Sequence, residues 1–441
     1  MGIMILLVAL LIEIAFAAYC VFTRSNQTKA RSVVRLVAFG VFVLLMLVSV
    51  IEWGFRWYAL AALLLIWALL GAQTLLRGQQ KKEYRTGRIL FEAVAMLLLV
   101  VVALIPALVF PQHKAPRVTG THEIATVTNT YTDPSRTETF TNTGAKREVN
   151  VECWYPLDEE GKYPLIVFSH GAFGIKASNT STFTDLASNG YVVCSIDHPY
   201  HALYTMDSER HLVRSDRSFM QEVIDANNGK YDEATIFALQ QKWMQLRVAD
   251  IEFVLDTLLA QAQDPAADAF YRHIDPEKIG LMGHSLGGAS SALVARERND
   301  IGAVVNLDAD LMGEYVDFAD GTYVLNDTLF PVPILTILAD DMVRLIDAVP
   351  NANETVAVQH VSASAPHAYE VHIMGTDHQS LTDLPLVSPA LASLITMSVK
   401  KAGGGATADK YAVIEKMNDL VLGFFNFHLK GAGSFAPAAT Y

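Results

Sequence analysis

A serine flanked by glycines has the spacing of a nucleophile held on a tight turn. Ser285 lies in the G-x-S-x-G motif of LMGHSLGGAS, residues 281–290, between a short apolar run and a run of small residues. The motif needs a strand before the serine and a helix after it, because the turn must expose the hydroxyl while the N-terminus of the helix faces a developing oxyanion. We therefore predict that Ser285 is a nucleophile, with a packing turn as the alternative.

A serine nucleophile needs a histidine to take its proton, and several histidines follow the motif. His378 comes directly after the last predicted strand, in the polar loop GTDHQSL. That loop lies at the end of the sheet where the serine must lie, so His378 is the predicted base. His367 is the main alternative, whereas His360 and His372 fall in predicted strands and His428 in a predicted helix.

The carboxylate that orients the histidine is ambiguous from spacing alone. Asp308 ends the predicted strand AVVNLD, the first after the motif, and Asp340 and Asp341 end the next strand, VPILTIL. Both strand ends can reach the same histidine, and each of these side chains, like Asp310, could instead cap a turn. The residues alone leave Asp308, Asp340 and Asp341 open.

An acyl-transfer site also needs two backbone N–H groups for the oxyanion. One comes from the residue after the nucleophile, and the other comes from the loop after an earlier strand. The run VFSHGAFG has the strand and the loop, so the predicted donors are Ala172 and Leu286. His170 and His284 lie beside these two turns and are predicted to be structural hydrogen-bonding residues.

The elements around these motifs alternate between strand and helix patterns. PLIVFS and YVVCSID are solidly apolar, as in strands with both faces covered, whereas residues 246–261 and 410–429 have the apolar periodicity of helices. This alternation predicts an α/β fold with a mostly parallel sheet flanked by helices. Residues 203–240 are predicted to be an insertion over the sheet edge, either a lid or a plain surface segment.

The N-terminal part of the chain has a different composition. It contains four nearly uncharged apolar runs of about twenty residues, the length that crosses a bilayer as a helix. The predicted spans are 3–22, 33–51, 57–76 and 89–110. We therefore expect a transmembrane region at 1–112, a linker at 113–119, a catalytic domain at 120–432 and a flexible tail at 433–441.

Charge predicts the orientation of this region. The connections after the first and third spans are basic, with Arg24, Lys29, Arg77, Lys81, Lys82, Arg85 and Arg88. The positive-inside rule makes these connections cytoplasmic, so the chain after Phe110 is expected outside a plasma membrane. Residues 1–117 carry 12 Lys and Arg against 4 Asp and Glu, and the remainder carries 21 against 42. Because so acidic a domain repels phosphates, no nucleic-acid partner is expected.

The cysteines give no sign of a disulfide framework. There are three, Cys20, Cys153 and Cys194, and no Cys or His spacing typical of zinc is present. We therefore expect no cofactor and no metal. The sequence makes no prediction about the oligomeric state.

Five segments, in order, resemble one family: FSHGAFG, YVVCSIDHPYH, IDPEKIGLMGHSLGGAS, VVNLDAD and GTDHQSL. They are similar to those of the plasma-type platelet-activating-factor acetylhydrolases, calcium-independent lipoprotein-associated phospholipases with an α/β-hydrolase fold. The resemblance covers about residues 120–430. It implies a nucleophile at Ser285, a base at His378, an acid at Asp308 and an oxyanion donor at Ala172.

The chain departs from that family in two respects. Ala309 and Asp310 follow the acid where the family typically has an aromatic residue. The position of the Asp340–Asp341 doublet resembles that of the acid in dienelactone and polyester hydrolases, which follows the later strand. The apolar spans lie outside the resemblance and are typical of a membrane-bound bacterial relative.

The expected function is a membrane-anchored serine ester hydrolase that works through an acyl-enzyme. Its expected partners are the bilayer and a lipid ester, which the resemblance specifies as a phospholipid with a short or oxidised acyl group. A general carboxylesterase or polyester hydrolase and a non-catalytic, membrane-anchored binding module are the alternatives. Glu13, inside the first span, raises the further possibility of transport.

Overall fold

A computed structural model describes residues 1–77, 84–157, 161–348, 356–398 and 405–441. Lys81 and Lys82, which contributed to the predicted orientation, lie outside these residues. Contacts divide the chain into two compact units. One consists of Met1–Lys114 with Leu386–Leu391, and the other consists of Ala115–Pro385 with Ala392–Tyr441.

The first unit contains the four predicted apolar helices. They are α1 (Gly2–Phe22), α2 (Thr28–Leu47), α3 (Phe55–Arg77) and α4 (Thr86–Val109). Each is long and apolar enough to cross a membrane. The prediction of four such helices is confirmed. α2 begins before its apolar run, because the polar residues 28–32 form the first turn of the helix.

The helices of this unit pack through a small apolar core. Its largest buried side chains are Phe42, Ile51, Trp57, Leu60 and Leu104. Gly71 allows a close approach, because a Cβ there would lie 3.0 Å from the carbonyl oxygen of Ser32. Small residues at such contacts are typical of helices that pack inside a membrane.

The second unit is built on an eight-stranded sheet with the order β1-β2-β4-β3-β7-β8-β11-β12. The pairs β1–β2 and β2–β4 are antiparallel, and the other neighbouring pairs of this sheet are parallel. The strands of the chain are β1 (Ile124–Thr137), β2 (Lys146–Pro156), β3 (Tyr163–Ser169), β4 (Val192–Asp197), β5 (Tyr204–Met206), β6 (Leu212–Arg214), β7 (Ile274–His284), β8 (Ile301–Leu307), β9 (Tyr315–Ala319), β10 (Thr322–Leu325), β11 (Ile334–Leu338) and β12 (Ala368–His372). The predicted mostly parallel sheet is confirmed.

Helices cover both faces of this sheet. The helices that follow α4 along the chain are α5 (Thr180–Ser188), α6 (Arg217–Asn227), α7 (Glu233–Gln263), α8 (Leu286–Glu297), α9 (Asp340–Asp347), α10 (Ala357–Ser364), α11 (Leu384–Val387), α12 (Pro389–Ser398) and α13 (Lys410–Lys430). α7 and α8 pack together on one face, and α5 and α13 pack together on the other. β3 and β4 are therefore buried on both faces, as their unbroken apolar runs predict.

The predicted insertion 203–240 is structured. It contains a hairpin formed by β5 and β6, the helix α6 and the first turns of α7. Asp216 caps α6 and Asp232 caps α7 by accepting backbone N–H groups. The segment therefore consists of defined elements.

Three further features differ from the sequence-based expectations. His360 lies in the helix α10 rather than in a strand, because the short apolar run around it fits both periods. The predicted tail 433–441 pairs with the open edge of β12, where His372 both donates to Ala439 O and accepts from Tyr441 N. Cys153 and Cys194 form a disulfide between the paired strands β2 and β4.

Candidate active site

Ser285 lies on a strained turn between the strand β7 and the helix α8. Its backbone has φ +54° and ψ −129°, a conformation that costs energy for any residue with a Cβ. The flanking glycines are needed for close approach. A Cβ on Gly283 would lie 2.2 Å from the Gly287 carbonyl oxygen, and one on Gly287 would lie 1.9 Å from the Ser169 carbonyl oxygen. The turn therefore requires the G-x-S-x-G spacing.

His378 and Asp308 form a short hydrogen bond next to this turn. His378 Nδ1 lies 2.6 Å from Asp308 Oδ2, and the other carboxylate oxygen accepts the backbone N–H of Ala339 at 2.7 Å. Asp308 is 1% exposed and His378 is about one-third exposed. Burial disfavours the charged ring of His378, but the hydrogen bond and charge of Asp308 outweigh it, so the pKa of His378 lies above its usual value.

His284 connects His378 to the turn. Its Nε2 donates to the backbone carbonyl of His378 at 3.0 Å, and the two rings lie 4.5 Å apart. Burial lowers the pKa of His284 to about 3, so it is neutral and serves as a structural donor. Because His284 directly precedes Ser285, these contacts connect His378 to the turn that carries the serine. Among the described residues, the Ser285 hydroxyl has no protein hydrogen-bond partner. We refer to Ser285, His378 and Asp308 as the elbow set.

The loop after β3 also lies against the turn. A Cβ on Gly171 would lie 3.1 Å from Ser285 Cβ, so the backbone at Gly171 passes directly over the serine. Ala172 follows, and Leu286 is the first residue of α8, where backbone N–H groups have no acceptor inside the helix. Within the described part of the chain, neither Ala172 N–H nor Leu286 N–H donates to a protein acceptor.

The other candidate acids and bases have different partners. Asp340 accepts from His372 Nε2 at 2.7 Å, and Asp341 pairs with Arg344. His367 lies beside the ring of His428, with a centroid distance of 5.6 Å. Of the aspartates left open by spacing, only Asp308 contacts His378 within the described residues.

A second group of the same residue types lies beneath the loop after β3. The Ser169 hydroxyl lies 2.9 Å from His198 Nε2, and an Asp250 carboxylate oxygen lies 3.0 Å from His198 Nδ1. All three side chains are completely buried. We refer to Ser169, His198 and Asp250 as the buried set. Sequence reasoning missed it, although charged residues on the apolar face of α7 were a visible signal.

Several known proteins are similar to this chain. The sequence profile of the family described as platelet-activating factor acetylhydrolase, isoform II, matches residues 116–436. The platelet-activating factor acetylhydrolase of Canis lupus familiaris is 29% identical over 174 residues, 35% of this chain and 36% of that protein. The one of Gallus gallus is 23% identical over 285 residues, 61% of this chain and 62% of that protein.

A fungal relative is similar over a shorter region. A probable 1-alkyl-2-acetylglycerophosphocholine esterase of Arthroderma benhamiae is 25% identical over 172 residues, 38% of each chain. The matched part of this chain thus spans less than two thirds of the length of each of these relatives.

The fold is found in a solved esterase structure. The ferulic acid esterase from Streptomyces cinnamoneus superimposes with a TM-score of 0.55 at 20% identity, covering 74% of this chain and 96% of that protein. This similarity confirms the predicted α/β-hydrolase class of fold. Because the family profile extends over most of the chain, including the elbow set, the chain belongs to the platelet-activating factor acetylhydrolase isoform II family.

Proposed function

We propose that this protein is a serine ester hydrolase, anchored in a membrane by α1–α4, that cleaves ester bonds of lipids. The observation that carries the proposal is the 2.6 Å contact between His378 and Asp308, with His378 packed on the residue that precedes a serine held at φ +54°. An oriented base close to a strained, half-buried serine is the arrangement that nucleophilic acyl transfer requires.

The reaction follows from this geometry. His378 Nε2 takes the proton of Ser285 as Oγ attacks the ester carbonyl carbon, while Asp308 holds Nδ1–H and stabilises the charged ring. Ala172 N–H and Leu286 N–H donate to the oxyanion. Collapse of the tetrahedral intermediate expels the alcohol, which takes the proton from His378. Water, deprotonated by the same ring, then releases the acid and restores Ser285.

The substrate class is argued from the relatives and the anchor. The name of the fungal relative describes an esterase for a 1-alkyl-2-acetylglycerophosphocholine, and the names of the animal relatives describe an acetylhydrolase. We propose that this chain hydrolyses short or oxidised acyl groups of glycerophospholipids. A tethered active site would meet such lipids in its own bilayer.

The acyl preference can be tested with the full chain in lipid vesicles. Release of acetate from a 2-acetyl glycerophosphocholine should greatly exceed release of palmitate from the 2-palmitoyl lipid, with Ser285→Ala as the blank. Equal or better hydrolysis of soluble nitrophenyl esters would instead favour a general carboxylesterase. A folded wild type that neither hydrolyses an ester nor reacts with a fluorophosphonate would favour a binding module.

The proposed orientation places the second unit outside the cytoplasm. The basic connections, which include Arg24, Lys29 and Arg77, support this orientation through the positive-inside rule. The Cys153–Cys194 disulfide supports it independently, because such bonds persist in oxidising compartments. A fluorophosphonate that cannot cross membranes should label intact cells as strongly as lysed cells, and labelling only after lysis would reverse the orientation.

A further inference from the structure

Arg247 is a completely buried cation in the middle of α7, and it contacts the loop that passes over Ser285. Its guanidinium donates to the carbonyl oxygens of His170 at 2.7 Å and Gly171 at 3.2 Å. It also donates to His201 Nδ1 at 3.2 Å and, at the limit of hydrogen bonding, to the hydroxyl of Ser169 at 3.5 Å. All four acceptors are neutral.

The charge of Arg247 is not neutralised by an ion pair. Within the described residues, no carboxylate oxygen lies within ion-pair distance of it. Burial lowers the pKa of the guanidinium to about 9, even though Asp250 opposes this shift, so Arg247 remains charged at neutral pH. Burying an unpaired cation is costly, and here carbonyl dipoles of the loop offset that cost.

The peptide group between Gly171 and Ala172 links this cation to the oxyanion site. The described chain has no cis peptide bond, so the carbonyl of Gly171 and the N–H of Ala172 point in opposite directions. Arg247, His170 Nδ1 and Gly174 N all donate to that carbonyl. These three donors fix the carbonyl of Gly171, and the N–H of Ala172 on the opposite side of the peptide donates to no acceptor within the described chain.

We infer that Arg247 is a positioning residue that holds the Gly171–Ala172 peptide so that Ala172 N–H faces the oxyanion. The guanidinium also polarises this peptide, because a hydrogen bond to the carbonyl strengthens donation by the N–H of the same group. The inference rests on the proposed hydrolase function, and it assigns Arg247 a role in stabilising the transition state rather than in binding the substrate.

The variants Arg247→Lys and Arg247→Met test this role in the full chain. A lysine ammonium keeps the charge but cannot span both carbonyl groups as the guanidinium does. The control is Arg296→Lys, which alters a similarly enclosed arginine, 9% exposed in its side chain and paired with Glu314, away from the loop. Melting temperature shows whether each variant is folded.

The measurements are kcat and KM for a short-chain nitrophenyl ester and the inhibition constant of a trifluoromethyl ketone. Loss of one oxyanion donor costs about 10²–10³ in kcat. Both Arg247 variants should therefore lose about 10²-fold in kcat with KM within about threefold, and affinity for the ketone should fall in parallel, because the ketone forms a tetrahedral adduct. Arg296→Lys should leave all three values near those of the wild type.

Each other outcome has a distinct meaning. Folded Arg247 variants with wild-type kcat, or with a raised KM alone, would overturn the positioning role while leaving the hydrolase intact. If Arg247→Met does not fold, Arg247→Lys decides, and failure of both to fold would assign Arg247 to stability instead. A wild type no more active than Ser285→Ala would overturn the proposed function and this inference with it.

Discussion

The elbow set and the buried set contain the same three residue types, yet the pKa values of their histidines shift in opposite directions. In both sets a carboxylate oxygen lies within 3.0 Å of the histidine Nδ1. Burial and the Arg247 cation lower the pKa of His198 to about 3, against the effect of Asp250. Burial also disfavours charge on His378, but Asp308 outweighs it, and the pKa rises above the usual value.

From this difference we expect the buried set to be structural and the elbow set to be the reactive one. In the buried set every side chain is enclosed, and cations lie close to the ring. In the elbow set the serine hydroxyl has no hydrogen-bond partner among the described residues, its backbone is strained and the His378 ring is about one-third exposed. The hydrogen bond and charge of Asp308 raise the pKa of His378, so we expect this ring to accept a proton where His198 cannot.

The largest expected effect separates the two serines. Ser285→Ala removes the nucleophile and should lower kcat by about 10⁴–10⁶ with no loss of stability. Ser169→Ala removes a buried hydroxyl and should cost about 1–2 kcal/mol of stability while kcat changes by less than about tenfold. Fluorophosphonate labelling and thermal melting measure the two effects. Labelling that survives Ser285→Ala but not Ser169→Ala would exchange the roles of the two sets.

The second-largest expected effect concerns Asp308, the proposed acid that orients His378. Asp308→Asn leaves the shape of the site but removes the charge that orients His378, and should lower kcat by about 10³–10⁴. Asp340→Asn and Asp341→Asn are the matched controls, because their partners are His372 and Arg344, and each should keep kcat within about threefold. Steady-state kinetics on a short-chain ester distinguishes them. A larger loss in either control would make it the acid.

The buried set should respond in stability rather than in rate. Asp250 accepts from both Arg136 and Arg147, and Asp250→Asn leaves these cations without their shared carboxylate. We expect a loss of about 3–5 kcal/mol. Asp256→Asn on the same helix breaks an exposed pair with Arg298 and should cost at most about 1 kcal/mol. Thermal melting of both variants checks this, and equal melting temperatures would contradict a structural role for Asp250.

The sequence was sufficient for the fold and for much of the elbow set because both depend on local patterns. Unbroken apolar runs predict the central strands, and the glycines around Ser285 fit only a tight turn. Asp308 could not be chosen from the residues alone. Its distance from His378 depends on β8 lying beside β11 and on its own φ of +53°, which turns the side chain at the strand end.

Long-range pairing explains what the sequence could not show. Cys153 and Cys194 are 41 residues apart and meet only because β2 and β4 are neighbours in the sheet. Arg247 and Asp250 stand out as charges on the apolar face of a helix, but the carbonyl groups that bind Arg247 come from a loop 76 and 77 residues away. Their roles follow from the folded arrangement.

The smallest expected effect is a pH shift confined to the elbow set. His378 must be neutral to take the serine proton, so kcat/KM should fall as the pH drops through its pKa, which Asp308 raises above the usual histidine value. Asp308→Asn removes the main group that raises this pKa, and should move the acidic limb of the profile to lower pH by about one unit or more. The Ser169 hydroxyl contacts His198 and not His378, so Ser169→Ala should leave the limb unchanged. An acidic limb that stays fixed in Asp308→Asn would mean that another group, and not His378, controls the reaction.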